Sequence, residues 1–77
     1  MQTKLVGIQP MNFTNKNGEI INGTNIFCVF KDENVQGMCA ERFFIKPEIA
    51  LPEQTKINDV LEISFNRKGK IEAITKA

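Results

Sequence analysis

In the segment "AERFFIKPE" (Ala40 to Glu48), an arginine and a lysine flank two adjacent phenylalanines. Successive side chains of an extended strand point to opposite faces, so Phe43 and Phe44 cannot enter the same core. One face then carries Glu41, Phe43 and Ile45, and the other carries Arg42, Phe44 and Lys46. The second set is a cation–aromatic–cation stripe. Its chemistry is non-covalent: an aromatic face stacks a nucleic-acid base, and flanking cations follow the phosphates. The competing use is structural, with Phe44 packed under a loop and both cations solvated.

A second cluster, Arg67, Lys68 and Lys70, crowds the segment "NRKGK". Three cations in four residues can reach phosphate oxygens, and Gly69 lets the backbone approach closely. The same residues also suit a solvated tip that protects a sheet edge. Lys16, in "NKNG", poses the same choice. Covalent chemistry finds less material. The chain has no histidine, which removes the commonest general base and most metal-site patterns. No nucleophile–base pair and no glycine-rich phosphate loop can be assembled. Cys28 and Cys39 lack the C-x-x-C spacing of a zinc or redox site. The residues therefore imply neither an enzyme, nor a cofactor, nor a metal. A net charge of +1 offers polyanions no global attraction, so any such binding must come from local clustering.

Seventy-seven residues suffice for one domain spanning 1–77, with 25% charged and 42% apolar residues, ordinary for a globular protein. No run approaches the roughly 18–20 apolar residues of a membrane-spanning helix. The opening "MQTKLVGIQP" lacks the pattern of a signal peptide, which points to the cytoplasm. Turn signals at short intervals separate runs rich in β-branched and aromatic residues, predicting strands at about 2–15, 19–31, 35–46, 60–66 and 70–76. Asn17-Gly18 predicts a type I′ turn, and "NRKGK" a short loop with Gly69 left-handed. The one helical possibility is a short turn within 47–58, limited by Pro52. Five strands in so short a chain predict an all-β, OB-like Greek-key barrel, closed to remove its edges. An SH3-like barrel accommodates the same pattern.

The middle hairpin can be read more finely. A two-residue turn at Glu33-Asn34 would pair Val29 with Met38, Cys28 with Cys39 and Phe27 with Ala40. Ile26, Cys28, Phe30, Gly37, Cys39, Phe43 and Ile45 would then form a core face, with Glu41 the exception and the cysteines as opposed, reduced thiols. Phe27, Val29, Lys31, Gln36, Met38, Arg42, Phe44 and Lys46 would form an amphipathic face. Leu61, Ile63 and Phe65 are expected inward, and Met11 and Phe13 in the core.

The stretch "FTNKNGEIINGTNIFCVF" resembles the DNA-binding wing of the filamentous-phage gene V family of single-stranded-DNA-binding proteins. The shared pattern is Phe-Thr, three polar or basic residues, Gly, four residues and Gly: here Phe13, Thr14, Asn15, Lys16, Asn17, Gly18 and Gly23. The resemblance covers about a quarter of the chain, and it implies a dimeric OB-type barrel that coats single strands without sequence preference. It gives Lys16 the role of a phosphate-contacting cation. The sequence departs from the pattern further along the wing, with Ile21, Thr24 and Ile26 where the family places basic and aromatic residues, and it has no tyrosine.

Together these features predict a homodimeric single-stranded nucleic-acid binder of phage or mobile-element type, with DNA favoured over RNA. It would act in the cytoplasm of a bacterium or a phage-infected host. Phe27 and Phe44 would stack bases, while Lys16, Arg42, Lys46, Arg67, Lys68 and Lys70 hold the backbone. The rival is a barrel that binds a replication or recombination protein through its apolar wing and aromatic face, which fits the near-neutral charge. Exposed Ile20 and Ile21 are the residues that suggest dimerisation.

Overall fold

A computed structural model describes residues 1–77. The fold is all-β: β1 (Gln2–Thr14), β2 (Ile20–Lys31), β3 (Met38–Ile45), β4 (Val60–Phe65) and β5 (Ile71–Lys76). They form one antiparallel sheet in the order β3-β2-β1-β4-β5. The first three strands meander, and the long connection of residues 46–59 returns β4 beside β1, which is Greek-key connectivity. That connection forms turns and no helix. Past the last β1–β4 pair, Leu5 N donates to the Asp59 carbonyl (2.9 Å) and Asn58 N to the Leu5 carbonyl (2.6 Å).

The sheet is OB-like in its order, but it does not close. β3 and β5 are its two edges, and no backbone ladder joins them. The nearest link across the open side is between β3 and β4, where the rings of Phe43 and Phe65 tilt together with centroids 6.2 Å apart, while Ile49, Leu51 and Ile71 pack against the core. The core itself is small, comprising Leu5, Ile26, Cys28, Ile45, Leu61, Ile63 and Ile74. Phe43 flanks it half-buried, whereas Phe65, expected inward, is partly exposed.

The loops explain where the register departs from expectation. The chain between β2 and β3 turns over residues 32–37, and Asp32 organises it: Oδ1 accepts from Asn34 N (2.8 Å) and its carbonyl from Val35 N (3.0 Å). This longer loop, not a two-residue turn, starts β3 at Met38 and moves the pairing by two residues. Val29 faces Ala40, Cys28 faces Glu41, Phe27 faces Arg42, and Cys39 faces Phe30. A shift of two preserves the faces, so the division into core and solvent sides survives. The loop of residues 15–19 is not type I′ either. Asn15 Oδ1 accepts from Asn17 N (2.9 Å) and Glu19 N (3.0 Å), and only Gly18 adopts positive φ. Asn66 builds the β4–β5 loop identically, accepting from Lys68 N and Lys70 N, with Gly69 left-handed as expected.

β1 and β2 outrun their neighbours. β3 reaches only to Ile45 opposite Thr24, and β4 pairs only with Gln2–Lys4. Residues 11–14 and 20–23 therefore form a two-stranded wing with no second layer over it. Phe13 is 46% exposed there rather than in the core, and Met11 is half-buried.

Cys28 is buried, Cys39 is half-buried, and neither forms a disulfide. Burial pushes the Cys28 thiol above the ordinary 9.0, partly offset by a hydrogen bond with Thr3. The raised folded-state value favours the protonated thiol, so this contribution to stability is complete below about pH 9 and declines as pH rises further. Iodoacetamide at pH 8 should alkylate Cys39 in the native protein and spare Cys28, because the thiolate is the nucleophile. Peptide mass spectrometry checks this, and rapid native labelling of Cys28 would refute its assignment to the core.

Candidate nucleic-acid interface

The solvent-facing side of β1–β3 is organised in cross-strand rows, with strands about 4.8 Å apart and successive rows roughly 7 Å apart along them. One row is Gly7, Phe27 and Arg42; the next is Gln9, Asn25 and Phe44. Arg42 thus sits directly opposite Phe27, and Phe44 lies on the adjacent diagonal. Lys46 follows β3 immediately.

Both rings are seated on glycines. A Cβ at Gly23 would collide with Phe44 Cζ and lie 2.7 Å from the Ile45 carbonyl oxygen. A Cβ at Gly7 would sit 3.1 Å from Phe27 Cδ2. Each ring therefore rests against bare backbone while remaining half-open to solvent, at 45% exposure for Phe44 and 37% for Phe27. This arrangement differs from both sequence-based expectations for Phe44: it packs, yet on a glycine rather than under a loop, and it keeps an accessible surface. A ring so placed loses little further freedom when it stacks on a base.

The charges are segregated. The chain has nine carboxylates, and none lies on this face of β1–β3. Glu41 points to the other side of β3, and the remaining acids fall in loops or on β4 and β5, with Glu62 on this side of the sheet at its far end, opposite Gln2. The face carries Arg42, together with Lys4 and Lys31 at its far end. Of the ten Lys and Arg residues only Lys76 makes an ion pair, 3.9 Å from Asp59. Every candidate cation is thus free of an acidic partner.

A cleft of about 730 Å³ opens beside the β3 edge. Arg42, Phe44 and Lys46 line one wall, and Asn66, Gly69 and Lys70 of the β4–β5 loop line the other. Glu41 and Glu48 also border it, so the cleft is mixed in sign where the sheet face is not. Arg67 and Lys68 are exposed at the loop tip, outside the cleft lining. Lys16 stands apart at the wing tip. Its loop begins six residues beyond Gln9, roughly 20 Å from the Phe44 row at 3.4 Å per residue.

The sequence-based reading placed Lys31 on this face but did not single out Lys4, Gln9 or Asn25. A bulge between Leu5 and Gly7 reverses the alternation of β1, placing Lys4 and Gln9 on one face despite their odd spacing. The available signal was the three-residue interval between Leu5 and Ile8, which both point to the core side. Comparisons with protein-family models, with curated proteins and with solved structures find no match to this chain.

Proposed function

We propose that the protein is a sequence-nonspecific single-stranded-DNA-binding protein whose site is the outer face of β1–β3. The observation that carries this reading is the pair of half-exposed rings, Phe27 and Phe44, seated on glycines within an acid-free, cationic sheet face. Bases stack on the two rings, and Arg42, Lys46, Lys4 and Lys31 contact phosphates. Lys70, Arg67 and Lys68 flank the strand at the cleft, and Lys16 meets it at the wing. The resemblance of the wing to that of the gene V family favours DNA over RNA. In this reading the protein is a binder rather than an enzyme.

Fluorescence anisotropy with labelled oligo-dT tests the reading. Non-specific affinity in the range of about 10⁻⁶–10⁻⁴ M is expected at physiological salt, tightening as salt falls. Arg42→Ala should flatten the slope of log K against log salt by about 0.7, the loss of one phosphate contact on a single strand. An unchanged slope removes Arg42 from the site, and salt-independent or absent binding removes the function.

Ile20, 72% exposed on the wing, favours a second reading in which the wing is a protein-binding surface. A second copy of the chain is the partner consistent with DNA coating, and a replication or recombination protein is the alternative. The apolar wing and the aromatic face are separable by mutation, which is why the oligonucleotide titration distinguishes the readings.

A further inference from the structure

Resting on the reading just proposed, we infer that Phe13 is a third base-stacking residue, which extends the site along the β1–β2 hairpin onto the wing. The hairpin register is unbroken from Gln9↔Asn25 through Met11↔Gly23 to Phe13↔Ile21. Alternate pairs share a side, so Phe13 lies on the face that carries Phe27 and Phe44. Its exposure of 46% matches the 45% of Phe44. Its cross-strand neighbour Ile21 is half-buried, an aromatic–β-branched pair of the kind that fixes a ring on a two-stranded hairpin.

The geometry at Gly23 joins the wing to the sheet face. Phe44 stands opposite Asn25, yet Cζ and Cε1 of its ring take the place of a Cβ on Gly23. The ring therefore leans one row toward the wing. Phe13 occupies the next row, roughly 7 Å further on. Gly18, Gly37 and Gly69 have positive φ and Gly23 does not, so Gly23 contributes its missing side chain rather than an unusual backbone. Each ring also has a cation close by in the fold or the chain. Arg42 is opposite Phe27, Lys46 is two residues after Phe44, and Lys16 is three residues after Phe13. A protein docked on the wing is the other use of an exposed ring there. Ile20, the most exposed apolar residue of the wing, pairs with Thr14 and so points to the opposite side of the hairpin. A partner held by Ile20 leaves the Phe13 side open.

Two variants test this with labelled oligo-dT. Phe13→Leu keeps the apolar bulk and removes the π-face. It should weaken binding about five- to 150-fold, the worth of one base–aromatic stack, with an unchanged salt slope and far-UV spectrum. Phe13→Trp should bind at least as tightly as the wild type. The chain has no other tryptophan, so the indole reports on its own site, and saturating oligo-dT should quench its emission. Wild-type affinity in Phe13→Leu, or indole emission that does not change at saturation, overturns the inference while leaving single-strand binding intact. A Phe13→Leu chain that changes only its oligomeric state on gel filtration assigns the ring to a contact between copies, which also overturns it. Failure of the wild type to bind oligo-dT overturns the underlying reading as well.

Discussion

The double substitution Phe27→Ala/Phe44→Ala should weaken oligo-dT binding by about 2–6 kcal/mol, taking about 1–3 kcal/mol for each base–aromatic stack. The rings occupy adjacent rows, so the two losses need not add, and the single variants place bounds on their coupling. The slope of log K against log salt should stay at the wild-type value, because stacking releases no counterions. This separates the rings from Arg42, whose removal acts on the slope. The far-UV spectrum should also hold, since both rings lie outside the core. A folded double variant that binds oligo-dT normally would end the nucleic-acid reading of this face and leave the protein-binding one.

The facing of these residues was legible in the sequence, and their partners were not. Alternation within a strand is local: the opposite orientations of Phe43 and Phe44 follow from pleating alone, whichever strand lies alongside. Pairing depends on how a loop closes. Asp32 draws Asn34 and Val35 into a turn that composition does not announce, and the register moved by two residues as a result. That shift set Arg42 opposite Phe27, a closer association of cation and ring than the two-residue turn implied. The division into core and solvent faces was indifferent to it.

What depends on distant parts of the chain was harder to see. Phe13 reads as a core residue because its strand alternates well, yet burial requires a second layer, and β3 and β4 both stop short of it. Closure of the barrel likewise depends on whether β3 and β5 meet, 26 or more residues apart, and here no ladder joins them. Gly7 and Gly23 carry no hint of the rings above them, since each ring comes from another strand. The free state of the cations is also a tertiary property. A net charge of +1 argued against polyanion binding, but folding leaves no carboxylate on the β1–β3 face that holds the rings, although Glu41 and Glu48 border the cleft beside it.

One residue before Phe27, Ile26→Ala should lower folding stability by about 2–5 kcal/mol, the usual loss for truncating a buried isoleucine. Ile26 is completely buried, with Ile8 and Phe43 as its cross-strand neighbours. A chain of this length has about 4–12 kcal/mol of total stability, so the substitution removes a large part of it. Each kcal/mol shifts the thermal midpoint of such a small domain by about 4–8 °C, and the midpoint should fall by at least roughly 8 °C. Phe27→Ala, by contrast, should lower the midpoint less, because the ring lies outside the core and is 37% exposed over Gly7. At a temperature where Ile26→Ala remains folded, its oligo-dT affinity should match the wild type, since the residue points away from the proposed site. The same contrast applies across the hairpin to Phe43 and Phe44. Thermal melts followed by circular dichroism, paired with anisotropy on the same samples, resolve the two effects. A midpoint that drops more for Phe27→Ala than for Ile26→Ala would mean that the sheet is inside out relative to the faces described, and the stacking surface would have to be sought among Ile26, Cys28 and Phe43.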